Sequence, residues 1–148
     1  MAAYLNKLQS LSIHERFLLL ISALLLPAIG LMLHLFGFKQ TKKILGICIY
    51  PGNKSSMPIE EQLNTGRQIA RVVTIAANHG FYSANCLKKS LLISWLLRWK
   101  GIITELKIAA TRDGIYMRGH AWIVLDGYAL TSSCDYDNTP SLNFSVFL

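Results

Sequence analysis

The sequence predicts an α+β fold, helices first and a small antiparallel sheet after them, and three observations predict it. Apolar residues recur at helical spacing up to Gly101 and alternate with period two beyond it. Just before that switch, the run from Cys86 to Lys100 is apolar on nearly every side, the pattern of a helix at the centre of a domain. A chain of 148 residues, 52% of them hydrophobic, fills one core and leaves little room for a second catalytic domain.

From Phe17 to Phe38 no side chain carries a formal charge. Such a run is long enough to cross a bilayer, which takes roughly 20 residues. Lys39, Lys42 and Lys43 follow it and would favour that end lying inside. No basic leader or small-residue cleavage site frames the run as a signal peptide. Pro27 falls within it, and a proline there predicts two shorter helices, about 14–26 and 27–38, folded onto the rest of the protein. Membrane association is the competing expectation.

Residues 50–56 (YPGNKSS) read as a turn or linker. Ser56 or a neighbour then caps a helix with Pro58 near its first turn and Glu60 and Glu61 at the positive end of the dipole. Ile59, Leu63, Ile69, Val72, Val73 and Ala76 give it one apolar face, and Asn78-His79-Gly80 ends it. After a short loop, 81–85, the apolar helix from Cys86 runs to Gly101, which stops it. Residues 102–110 alternate as a strand with Glu105 and Lys107 outward and Leu106 and Ile108 inward. Arg112-Asp113-Gly114 makes a turn, Tyr116–Leu125 a strand, Asp126-Gly127 a hairpin turn, and Tyr128–Ser133 the returning strand. The tail from Pro140 carries no chemical signal.

Fifteen basic residues against eight acidic give a net charge of +7. The positions are scattered, among them Arg67, Arg71, Lys88 and Lys89, with no dense basic tract interleaved with aromatics, so nucleic acid is not an expected partner. An acidic peptide, a partner protein, an anionic membrane surface and a merely solvated face all suit this charge. Cys48, Cys86 and Cys134 form no CxxC and leave one cysteine over, which excludes a disulfide framework and a zinc ribbon. A lone thiol points to the reducing cytoplasm. No cofactor or metal is expected, and no nucleotide-binding loop is present in the sequence.

Cys86 stands where a loop enters the central helix, and helix N-terminal amides stabilise a thiolate there. Position alone leaves packing as an equal reading, because most free cysteines are small buried hydrophobes. His120 lies on a strand in Gly119-His120-Ala121-Trp122. If that face of the sheet packs on the helix, His120 can take the thiol proton and return it to the leaving group. His14, His34 and His79 are weaker candidates by placement. A third group should hold the imidazole tautomer. With Asp126-Gly127 as a two-residue turn, His120 lies across from Ser133. Asp135 is then the preferred acid, ahead of Asp137 and of Asp126 at the hairpin tip, with Ser132 or Ser133 as partial substitutes.

The segments Asn85-Cys86-Leu87-Lys88-Lys89-Ser90-Leu91-Leu92, Trp95–Arg98, Lys100-Gly101-Ile102 and Gly119-His120-Ala121-Trp122-Ile123-Val124-Leu125-Asp126-Gly127 together resemble the transglutaminase-like leader peptidases of lasso peptide biosynthesis. The resemblance covers about residues 57–133; its HAW element alone is common to the wider transglutaminase-like superfamily. It implies an apolar helical segment over 1–50 and a transglutaminase-like cysteine peptidase core over 51–148. It also implies a Cys-His-Asp site that cleaves the leader from a ribosomally made precursor peptide, with Cys86 and His120 as nucleophile and base. The family's acid is expected about a dozen residues after the histidine, where this chain has Ser132. Short members lack the leader-recognition domain, so a separate leader-recognition protein and an asparagine-synthetase-like lasso cyclase are the implied partners, with peripheral membrane contact compatible. A transglutaminase-type acyltransferase at the same site and a non-catalytic membrane or scaffold protein are the rival readings.

Overall fold

The computed structural model describes residues 12–46, 56–79, 84–113, 116–131 and 145–146. Three helices, α1 (Ile13–Ile44), α2 (Ile59–His79) and α3 (Cys86–Trp99), precede four strands, β1 (Glu105–Asp113), β2 (Tyr116–Leu125), β3 (Tyr128–Ala129) and β4 (Ser145–Val146). The strands form one antiparallel sheet in the order β3-β2-β1-β4. This is the α+β class expected from the change of period.

The two short helices expected on either side of Pro27 are one run, and its break falls at Gly37 (φ 72, ψ 172). Pro27 removes one amide donor from α1. Its neighbours Leu26 and Ile29 are buried in the same core as residues of α2 and α3, and that packing holds the turn. Gly37 adopts a backbone conformation that a Cβ would disfavour, and Thr41 donates its hydroxyl proton to the Gly37 carbonyl at 2.9 Å. At the other end Ser12 and Glu15 close a capping box.

One face of α2 carries Ile69, Val72, Val73 and Ala76 into the core. Asn85 caps α3, its side-chain oxygen accepting the Lys88 amide at 3.2 Å. At the far end Gly101 (φ 76) turns the chain out of α3: its amide donates to Arg98 O at 2.9 Å and that of Ile102 to Leu97 O at 3.0 Å. That pair of bonds is a Schellman cap. Between the caps Leu91, Leu92, Ile93 and Leu97 are fully buried, as an all-apolar helix requires.

The sheet differs from expectation at four points, the first being that β1 begins at Glu105 and not at residue 102. The β1–β2 ladder continues to Asp113 opposite Tyr116, so Arg112 and Asp113 are strand residues and not part of the expected turn, whose Gly114 lies outside the described residues. Asp126 (φ 48) and Gly127 (φ 84) do form the tight hairpin turn, and Leu125 pairs with Tyr128 as a two-residue loop demands. The returning strand stops at Ala129, because the Ile123 amide goes to the Thr131 hydroxyl at 3.3 Å and draws the chain out of the ladder. In the tail, β4 pairs with β1 at Ala109 and Ala110, a long-range partnership with no local signature.

Candidate active site

Cys86 is the first residue of α3, and the cap holds it there. Asn85 satisfies the amide of Lys88, which leaves the amides of the first two residues, Cys86 and Leu87, untouched by the cap side chain. The Cys86 thiol is free and half-buried, and its Sγ lies 3.8 Å from the carbonyl oxygen of Gly119, the residue before the histidine.

One hydrogen bond sets the two motifs in register. Ser90, one turn after Cys86 on α3, donates from its buried hydroxyl to the carbonyl of Ala121 at 3.1 Å. Ala121 follows His120, so this bond fixes the start of α3 against the middle of β2. The side chains of Ala121, Ile123 and Leu125 are buried on the helix side of the sheet. His120 belongs by alternation to the other set, with Trp122, and pairs across the ladder with Ala109. Its ring stacks on Trp122, with centroids 5.7 Å apart and planes 19° apart.

Even so, Cys86 and His120 line one cleft of about 450 Å³. Its other walls are Arg67, Ala70, Arg71, Thr74, Ile75 and Asn78 of α2, Lys89 and Ser90 of α3, Ala121, and Leu130 and Thr131 after the hairpin. Burial, and then the nearby Lys89 ammonium, push the His120 pKa below its ordinary value. Both causes disfavour the imidazolium, so the ring is neutral at neutral pH and able to accept a proton.

Asp126 is exposed at the hairpin tip, does not line the cleft, and is some six strand residues from His120. At ~3.3 Å per residue that is about 20 Å, too far to steady the ring. The preferred acid Asp135 lies outside the described residues, as do Asp137, Ser132, Ser133, Cys48 and Cys134. The register that would place Ser133 across from His120 is the one seen at Leu125–Tyr128 and Val124–Ala129. His14 and His34 are exposed on α1, away from the cleft.

Sequence reasoning missed the contributions of Ser90, Arg67, Arg71 and Lys89. Ser90 carried a signal, a polar residue inside an otherwise apolar helix. Arg67 and Arg71 stand one turn apart beside the apolar stripe of α2, but nothing local says which neighbour that edge meets.

A half-buried thiol at a helix start, sharing a cleft with a neutral imidazole on a strand, has the parts of a cysteine-nucleophile site. The family model of the transglutaminase-like superfamily matches residues 36–143, and the chain belongs to that superfamily. Its members are typically cysteine peptidases or acyltransferases. The match takes in α2, α3 and the described sheet except β4, and so contains both Cys86 and His120. No curated protein and no solved structure matches the chain.

Proposed function

We propose that this protein is a cysteine peptidase that removes the leader from a ribosomally made lasso precursor peptide. The observation that carries the reading is the shared cleft of Cys86 and His120, each supplied by one of the two motif segments. In the proposed reaction His120 takes the thiol proton as Sγ attacks the scissile carbonyl carbon. The C–N bond then breaks, and the imidazolium returns the proton to the departing amine. Water, deprotonated by the same ring, opens the thioester, releasing the leader carboxylate and restoring the thiol. The Cys86 amide, left open by the cap, would bind the oxyanion together with a donor from residues 82–85. Asp135 remains the proposed partner of His120.

The partners proposed with this activity are the precursor, a separate leader-recognition protein and an asparagine-synthetase-like lasso cyclase, all in the cytoplasm. Peripheral membrane contact is proposed through the outer face of α1. There Phe17, Leu20, Leu24, Leu31 and Leu35 are more than half exposed, with Lys39 and Lys43 at its end. The test of the catalytic reading is leader release from precursor incubated with the recognition protein and this chain. Wild-type protein should release it and Cys86→Ala should not; equal release by both overturns the reading.

A further inference from the structure

The cleft at Cys86 carries charge of one sign. Arg67, Arg71 and Lys89 line it, and among the described residues no acidic side chain does. Nor does any of the three form an ion pair among those residues. Glu15 of α1 feels the Arg71 charge, but its carboxylate already accepts from Gln68 Nε2 at 2.9 Å and from the Ser12 amide at 2.8 Å. Three cations in one half-enclosed cleft repel one another, and the field they focus favours an anionic occupant.

Their spacing along the cleft is readable from the fold. Arg67 lies at the Leu130 end, because a Cβ on its neighbour Gly66 would meet Leu130 Cδ1 at 2.8 Å. The Leu130 amide bonds in turn to Ile123 O, three residues along β2 from His120. That separation is about 10 Å at ~3.3 Å per strand residue. Arg71 stands one helical turn closer to Asn78, and Lys89 is one turn into α3 from Cys86 itself. An extended peptide with its scissile carbonyl at Cys86 would set a side chain roughly two to four residues away between the two arginines.

We propose that this cleft is an acid-recognising subsite: the substrate is a peptide with an Asp or Glu side chain a few residues from the scissile bond, held by Arg67 and Arg71 with Lys89 nearer the thiol. The proposal rests on the peptidase reading for the scissile bond but not for the anion preference, so the two are separable by experiment. Arginine suits the role, since its planar fork grips a carboxylate with two parallel hydrogen bonds.

The test uses the full chain and two sets of matched probes. In the first, the alkylation rate of Cys86 is measured with iodoacetate and with iodoacetamide, located by peptide mass spectrometry and referenced to glutathione. The iodoacetate-to-iodoacetamide ratio at Cys86 should exceed that of glutathione by roughly tenfold at low salt and fall as salt screens the field. Arg67→Gln with Arg71→Gln should lower it, and Arg67→Lys with Arg71→Lys should keep most of it. In the second, acetyl-Glu-Gly-Gly-Gly-amide and acetyl-Gly-Gly-Gly-Glu-amide are compared with their Gln counterparts as protectors of Cys86 against iodoacetamide. One Glu peptide should protect at several-fold lower concentration than its Gln match. A ratio equal to that of glutathione, a ratio indifferent to the arginine pair, or Glu peptides no better than Gln overturns the proposal. Leader release without anion preference would sink this inference alone, whereas anion preference without leader release would sink the peptidase reading alone.

Discussion

Two helices of this protein are apolar almost all the way round, and the fold treats them differently. α3 has Leu91, Leu92, Ile93 and Leu97 fully buried between α2, α1 and the sheet. α1 seats Leu26 and Ile29 in that same core yet leaves Leu20 67% and Leu24 75% exposed on its outer side. Composition alone does not bury a helix; a covering layer does. α3 is covered on both sides, and that packing fixes where its first residue, Cys86, stands. α1 has a layer on one side only, and its apolar outer face has the character of a docking surface.

The largest expected effect tests what α3 positions. Cys86→Ala should lower leader release by about a thousandfold or more while leaving the thermal midpoint close to that of the wild type. Activity that survives the substitution would make α3 a packing element and nothing more.

The contrast in burial can be broken directly. Leu92→Ala should cost about 2–5 kcal/mol in denaturant unfolding, since it opens a cavity in a closed core. Leu24→Ala on the outer face should stay within about 0.5 kcal/mol. Similar losses at both positions would mean that α1 is covered after all, by a second copy of the protein.

Ser90→Ala sharpens the claim that α3 and β2 are registered by one bond. It strips the partner from the Ala121 carbonyl, for a cost of about 1–3 kcal/mol in stability. Turnover should fall with KM little changed, because His120 shifts against Cys86 while the cleft walls remain. A larger change in KM than in kcat would assign Ser90 to binding instead.

On the outer face of α1, Leu20→Gln with Leu24→Gln should reduce co-sedimentation with vesicles of anionic phospholipid several-fold and leave leader release in solution unchanged. Vesicle binding that ignores the pair would remove the proposed membrane contact.

The smallest effects are those of pH. Burial and Lys89 both hold the His120 pKa below the ordinary 6.5, so the acid limb of kcat/KM should lie below that value. Lys89→Gln removes the second cause and should move the limb upward by a fraction of a unit. The same depression bears on stability: the neutral ring is at no disadvantage above the unfolded value of 6.5, and stability is lost as pH falls through the lower folded value. Denaturation midpoints at two pH values on either side of that window would check the sign.

How far the sequence carried depended on how local each feature is. α2, α3 and β2 were legible almost to the residue, because the Gly101 stop of α3 and the alternation of 116–125 are written within a few positions. The Asp126-Gly127 hairpin register was equally local, and the pairs at 124–129 and 125–128 follow it. Pro27 misled, because its cost to α1 is offset by neighbours packed on distant residues, whereas Gly37 breaks the helix through its own φ. β4 was illegible because its partner is more than thirty residues away in β1. For the site, Cys86 and His120, the proposed nucleophile and base, stood out through their motifs. The arginines did not, because only the docking of α2 beside the hairpin brings Arg67 and Arg71 into the cleft that Cys86 lines.

The central claim is that Cys86 and His120 hydrolyse a peptide bond and do not pass the acyl group to another amine. Running leader release in oxygen-18-labelled water and weighing the products tests it most directly. The account predicts two fragments, with one heavy oxygen in the new carboxylate of the leader. An unlabelled leader joined to a second amine would contradict it and make this protein an acyltransferase.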